Sequence, residues 1–185
     1  MIKHLFSALI ALGLSLAVYL YFYLGFYKPV EIAIDQRGPL HFLYKAHTGP
    51  YHTIGPVISE VEKWALENKV GCEKTYGEYI DNPDAVDQDR LRSHGGCVLP
   101  GPLPAGFVSP YTYEVRDEKN YVVARFEGSP SIGPFKVYPK AVRYIEDHHL
   151  KVGEAIIETY LIQGTAVTTE IMFPILPSAA AAVTF

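Results

Sequence analysis

Basic clusters are missing from these 185 residues. Lys and Arg number 16 against 20 Asp and Glu, and nowhere do five basic residues gather. Nucleic-acid binding and polybasic recruitment to anionic lipid both need such a cluster, so both are excluded. Cysteine is scarce too: Cys72 and Cys97 are the only two, with no His at a zinc-finger interval from either. A bridge between them requires an oxidising compartment, and two half-buried thiols are the favoured expectation. The seven His show no His-x-x-x-His spacing. No P-loop, dinucleotide fingerprint or nucleophile elbow is present. These absences leave no metal site, no cofactor and no familiar catalytic motif to expect.

Charge is also absent from Leu5 to Tyr27, a run of 23 almost wholly apolar residues. About 20 suffice to cross ~30 Å of hydrocarbon. Tyr19, Tyr21, Tyr23 and Tyr27 crowd its end, where amphipathic rings favour the headgroup level. A cleaved secretory signal is the competing reading, because Ser15-Leu16-Ala17 is a passable small-x-small site. Cleavage there would leave an apolar, aromatic N-terminus, so an uncleaved single-pass anchor over residues 1–27 is expected. Only Lys3 precedes the span, whereas Lys28, Arg37 and Lys45 follow it. That asymmetry tilts the globular part toward the cytosol; the short Met1–His4 tail argues weakly the other way.

Residues 28–38 read as a juxtamembrane linker, 39–177 as one domain and 178–185, with the Ala179–Ala182 run, as a frayed tail. Within the domain the chain repeats itself. A strand at Leu40–Thr48 leads through Gly49-Pro50-Tyr51 to a helix and Lys69-Val70-Gly71. A strand at Tyr121–Glu127 leads through Gly133-Pro134-Phe135 to a helix and Lys151-Val152-Gly153. Each unit closes with two strands: Thr75–Ile80 with Gly96–Leu99, and Glu154–Leu161 with Thr168–Phe173. Val57, Val61, Trp64, Ala65 and Asn68 share one face of a 3.6-residue period, and Ala141, Tyr144, Ile145 and His148 repeat it. Pro139 is tolerable only in a first turn, which starts the second helix near Tyr138. Gly101 to Thr112, rich in Pro and Gly, links the units. The expected class is α+β: two strand-helix-strand-strand repeats with pseudo-twofold symmetry, preceded by one transmembrane helix.

The most informative stretch runs from Tyr79 to Pro100. A strand ends at Ile80, Asp81-Asn82-Pro83 opens a turn, and Leu91-Arg92-Ser93 approaches Gly96 before a return strand. With the Gly-Pro-aromatic turns, Trp64, Glu158-x-Tyr160 and the closing Thr169-Glu170-Ile171, this order resembles the GyrI-like (SOUL-related, effector-binding) superfamily. Tyr44–Tyr51 and Tyr79–Pro83, behind an N-terminal span, look most like its membrane-anchored, testis-expressed ER-phagy receptor branch and bacterial relatives. That branch carries a long acidic tail with a recruiting motif, which this sequence does not show, so its recruiting function is not carried over. The resemblance implies a ligand-binding scaffold. Known members include ligand-sensing halves of multidrug-responsive regulators, stand-alone binders, gyrase-inhibitory proteins and hydrolases of electrophilic toxins. SOUL-type relatives were described as haem binders, but no His here is marked out for that.

The resemblance also points to the candidate site. A Glu on the strand that carries Glu158 sits, in the family, in the cleft between repeats. Glu158 and Tyr160, two apart, project to one face. Glu170 is the second carboxylate, and apolar residues on the opposite faces of both strands assign those faces to the helices. Glu158, Tyr160 and Glu170 are therefore expected to line one groove, with Trp64 a core residue or a stacking surface. A shielded carboxylate between ring faces favours a hydrophobic cation. Asp81, Pro83 and Arg92 are expected to be structural, Arg92 bracing the loop by its fork geometry. The leading function is a membrane-anchored small-molecule-binding module. A membrane-tethered interaction scaffold, with an unidentified protein partner, is the alternative. A hydrolase using Glu158 and Tyr160 as acid and base is the third.

Overall fold

The computed structural model describes residues 2–153, 155–164 and 166–177. The chain opens with helix α1, Ile2–Tyr23. Its window Lys3–Tyr23, of mean hydropathy 2.1 and unburied, is long and apolar enough to cross a membrane; a signal sequence would share that character. Gly25, at φ +81, ends the helical run. Lacking a Cβ, glycine takes this left-handed conformation without steric cost.

Alternation then takes over. Val30 and Ile32 point inward while Glu31 and Asp35 point out, so β1 (Val30–Arg37) is a strand. Residues 28–38 are therefore not a linker; most of them form a sheet edge. β2 (Leu40–Thr48) follows, then a 3-10 turn (Tyr51–Thr53), α2 (Gly55–Glu67), β3 (Lys74–Tyr79), β4 (Arg92–Leu99) and β5 (Thr112–Arg116). The second half runs β6 (Lys119–Glu127), a 3-10 turn (Pro130–Ile132), α3 (Gly133–Lys136), α4 (Tyr138–Asp147), β7 (Ile156–Gln163) and β8 (Ala166–Pro174). The expected strand start at Glu154 and the Ala179–Ala182 run lie outside the described residues.

All eight strands form one antiparallel sheet in the order β1-β6-β8-β7-β3-β4-β2-β5. The order is symmetric about the β7/β3 seam: β7, β8 and β6 mirror β3, β4 and β2. The two outer strands exchange halves. β1 leads into β2 but pairs with β6, and β5 leads into β6 but pairs with β2.

The repeat is real, but its register differs from the one expected from the Gly-Pro-aromatic pairs. Gly133-Pro134 opens α3, as Gly55-Pro56 opens α2, and each follows a 3-10 turn. Gly49-Pro50 instead leaves the end of β2, where Gly128-Ser129 leaves the end of β6. A proline suits both settings, a turn and a helical first turn, so the dipeptide alone does not fix the alignment. α2 and α4 end alike, with Lys69 at φ 59 and His149 at φ 51.

The helices share one face of the sheet. Val61 and Ala65 of α2 pack on Leu43, Cys97 and Leu99. Ala141 and Ile145 of α4 pack on Val122, Ala124, Phe126, Ile171 and Phe173. The opposite face closes on itself, where Phe42, Tyr76 and Val98 of the first half meet Tyr121, Val123, Ile157 and Met172 of the second. Cys72 and Cys97 form a disulfide that ties the segment before β3 to β4. This replaces the expected pair of free thiols: the fold brings two residues 25 apart in sequence to a Cα–Cα distance of 5.3 Å, a bridging distance.

Candidate functional site

Where the two halves meet, β3 and β7 run side by side on the helix-covered face. Glu158 lies opposite Gly77. Tyr160 follows two residues later on the same face, and Tyr79 projects from β3. Gly77 matters because a Cβ there would lie 3.1 Å from the Tyr79 hydroxyl; its absence gives that phenol room over the seam.

Two tyrosines bind the carboxylate and two more extend the cluster. Tyr138, the first residue of α4, donates to Glu158 Oε1 at 2.5 Å. Tyr160 donates to Oε2 at 2.6 Å. The hydroxyls of Tyr79 and Tyr160 lie 3.4 Å apart. Tyr51, from the 3-10 turn before α2, meets Tyr79 edge-on with ring centroids 4.8 Å apart. Each of these five residues keeps part of its surface open. Among the described residues, Glu158 has phenols as its hydrogen-bond partners and no cation. Burial pushes its pKa above the ordinary carboxylate value, against the pull of the two phenol donors. Burial and the nearby carboxylate push Tyr138, Tyr160 and Tyr79 well above the usual phenol range. They remain neutral donors at any physiological pH.

The Asp81 loop holds Tyr51 in this ring. Arg92 donates from Nη2 to Asp81 Oδ1 at 2.7 Å and from Nε to Oδ2 at 3.0 Å, and its backbone N–H reaches Oδ2 at 2.7 Å. The Tyr51 hydroxyl donates to the Asp81 carbonyl at 2.6 Å and accepts the Asp81 N–H at 2.9 Å. Pro83 sits inside the turn that Asn82 closes, through its side-chain oxygen to the Asp84 N–H and its carbonyl to the Ala85 N–H.

Glu170 does not join Glu158. The register pairs Glu158 with Ile171 and Thr159 with Glu170, which puts the two carboxylates on opposite faces of the sheet. It also puts Glu158 on the helix side, the reverse of the expected assignment. Both faces of β7 carry apolar residues, so alternation did not reveal which side meets the helices. Glu170 instead binds Lys74 at 2.8 Å and Arg37 at 3.3 Å. They line a separate cavity of about 300 Å³ with Thr159, Val98 and Met172. These cations outweigh burial and hold Glu170 below the usual range. Trp64 sits away from these tyrosines, edge-on to Tyr111 at 5.4 Å and Phe107 at 5.9 Å, against the core under α2. Tyr51, Tyr79 and Tyr138 are the members that sequence reasoning did not single out as ligand residues. Their signal was present in the aromatic turn before α2, the strand preceding Asp81, and the start of α4.

No metal-binding cluster of three or more His, Cys, Asp or Glu occurs among the described residues.

Comparison with solved structures gives the same fold. The C-terminal domain of EcmrR superposes with a TM-score of 0.63 at 15% identity, covering 82% of this chain and 100% of that one. SAV2435 bound to tetraphenylphosphonium matches with a TM-score of 0.54 at 16% identity, over 79% of this chain and 94% of that one. An integron cassette protein from the mobile metagenome of Vibrio cholerae matches with a TM-score of 0.54 at 15% identity, over 80% of this chain and 100% of that one. No curated protein matches, so the ER-phagy branch finds no support here. The model of the GyrI-like small molecule binding domain matches residues 31–176, from β1 to just beyond β8, and the chain belongs to that family.

Proposed function

We propose that this protein binds a hydrophobic cation in the cleft between its repeats, against Glu158 and the rings of Tyr51, Tyr79, Tyr138 and Tyr160. One observation carries the reading: a carboxylate without a cationic partner, set among four aromatic rings. Burying a charge is costly unless it is paired. A cation would supply the missing counter-charge, and ring faces attract cations further. The phenols of Tyr138 and Tyr160 keep the carboxylate hydrogen-bonded. The tetraphenylphosphonium complex of a structural neighbour supports the same ligand class. Glu170 and Trp64 are left out of the ligand contacts, because each is engaged elsewhere.

We further propose that α1 remains attached as a single-pass anchor. The disulfide weighs against the cytosolic placement that Lys and Arg counting favours, since such bridges persist in oxidising compartments. The domain is accordingly placed on the oxidising side of its membrane.

The test is titration of the full chain in detergent with tetraphenylphosphonium, followed by isothermal calorimetry. Glu158→Gln should weaken binding by about 1–3 kcal/mol, the scale of a lost charge-assisted contact. Glu170→Gln should leave it unchanged. Equal affinity in the parent and Glu158→Gln would remove the carboxylate from the site, and the tethered scaffold would become the better reading.

A further inference from the structure

The end of α1 is gripped by the domain. Lys136, the last residue of α3, donates to the carbonyls of Gly25 at 3.0 Å, Phe26 at 2.6 Å and also Lys28. Its ammonium sits 4.8 Å from the Phe126 ring centroid. The Ser129 N–H donates to Leu24 O at 3.1 Å. The backbones are in close contact as well: a Cβ on Gly128 would lie 2.4 Å from the Phe126 ring and 2.9 Å from Leu24 O. Carbonyls just past a helix end carry partial negative charge, which a lysine complements. The helix and the second repeat therefore meet in a defined joint.

That joint decides what lies beside the end of the apolar span. Phe135, next to Lys136, is 79% exposed, and Val142 is 43% exposed. Phe135, Pro139 and Val142 recur at helical spacing across α3 and α4, and Lys140 and Arg143 are exposed beside them. Arg143 lies 3.8 Å from Asp147, so Lys140 is the freer of the two cations; an apolar stripe beside basic side chains is the pattern of a helix lying on a membrane surface. The neighbouring exposed rings of Tyr23, Phe26 and Tyr27 belong at the headgroup level. Lys136 is taken up by the joint, so Lys140 and Arg143 would add a local attraction to anionic lipid rather than the five-residue cluster that the sequence lacks.

We propose that the Phe135–Val142 stripe rests on the membrane leaflet from which α1 emerges, with Phe135 inserted at the headgroup boundary and Lys140 and Arg143 against anionic headgroups. This rests on the reading of α1 as an uncleaved anchor. Two features choose lipid as the occupant: continuity with the end of the span, and the basic flank. α4 also supplies Tyr138 to the cleft, so docking would fix the ligand site relative to the lipid surface.

The test uses the full chain reconstituted in phosphatidylcholine vesicles, with and without phosphatidylglycerol. Single tryptophans are placed by Phe135→Trp, Leu12→Trp or Val108→Trp in a Trp64→Phe background, and quenching by brominated lipid is read. Phe135→Trp should be blue-shifted and quenched, as should Leu12→Trp. Val108→Trp, in the linker packed on α2, should stay unquenched. Omitting phosphatidylglycerol, or combining Lys140→Glu with Arg143→Glu, should reduce the quenching of Phe135→Trp without changing that of Leu12→Trp. Quenching at Leu12→Trp but not at Phe135→Trp would overturn the docking and leave the anchor standing. Quenching at neither would overturn the anchor, and the docking with it. Quenching of Phe135→Trp that ignores both lipid charge and the double reversal would overturn the role given to Lys140 and Arg143.

Discussion

Tyr138 donates its phenol to Glu158 at 2.5 Å, joining the start of a helix to the central seam of the sheet. Tyr160 occupies the other carboxylate oxygen at 2.6 Å. Two neutral donors stabilise the charge without cancelling it. On the function proposed above, a bound cation would supply the counter-charge that the phenols do not.

Ionising Glu158 without a counter-cation should cost stability at neutral pH. Glu158 has a folded pKa raised above the reference value of 4.5, chiefly by burial. A raised acid binds its proton more readily when folded, so its contribution is fully present below the unfolded pKa and is lost as pH rises through the folded one. Glu158→Gln should have a higher Tm than the parent at neutral pH, and the gap should close as pH falls toward 4.5. Thermal melts across this range check it. A gap that stays constant with pH would mean that ionisation of Glu158 is not what costs stability.

Arg92 should matter to ligand binding through Tyr51. It clamps Asp81, whose backbone both donates to and accepts from the Tyr51 hydroxyl. Arg92→Leu should loosen that ring and weaken tetraphenylphosphonium several-fold, roughly one aromatic–cation contact, with little change in Tm because Arg92 itself is largely exposed. Tyr51→Phe, which also cuts the link to Asp81, should weaken binding similarly. Combining the two should add little, because both act on one link. Additive losses would show that Arg92 does not act through Tyr51.

Much of this architecture was legible from the chain. The 3.6-residue period of Val57, Val61, Trp64 and Ala65 marked α2, and Pro139 marked the start of α4. Asp81 and Arg92 were readable as a brace because their chemistry is complementary. The inter-strand register was not legible. Glu158 and Glu170 each sit in an alternating strand, but alternation says nothing of which faces coincide across a ladder. β1 was hidden because Gly38-Pro39 and nearby Pro29 suggested a linker, while its partner β6 lies some ninety residues away. The ring of tyrosines was dispersed over four elements, so only the fold assembles it.

The Cys72–Cys97 bridge should be a substantial part of the domain's stability. It spans 25 residues, and loop-closure entropy for such a loop amounts to about 3.5 kcal/mol. Under reductant the urea midpoint should fall accordingly. Cys72→Ala combined with Cys97→Ala should melt lower than the parent and respond no further to reductant. Two titratable thiols in unreduced, denatured protein would show that the bridge does not form, and the argument for an oxidising compartment would go with it.

A second carboxylate gives the opposite pH signature. Glu78, on β3, accepts from Arg116 Nη1 at 2.5 Å and Nη2 at 2.8 Å, and it meets His94 Nδ1 at 2.9 Å. Burial alone would raise its pKa, but the hydrogen bonds and the guanidinium outweigh burial and hold it at about 2. A depressed acid contributes stability that is present above the unfolded value of 4.5 and lost as pH falls through about 2. Glu78→Gln should destabilise by about 3 kcal/mol at neutral pH, because Arg116 loses its buried ionic partner and keeps only the more exposed Glu114. The deficit should shrink as the parent is acidified, opposite in direction to the effect of Glu158→Gln. Replacing both partners, Glu78→Met with Arg116→Met, should recover much of the loss, since a packed apolar pair carries no unpaired charge. Urea denaturation of the three variants from neutral to acid pH measures this. A double variant as unstable as Glu78→Gln would show that the cost comes from lost packing rather than from the weakened pairing of the guanidinium.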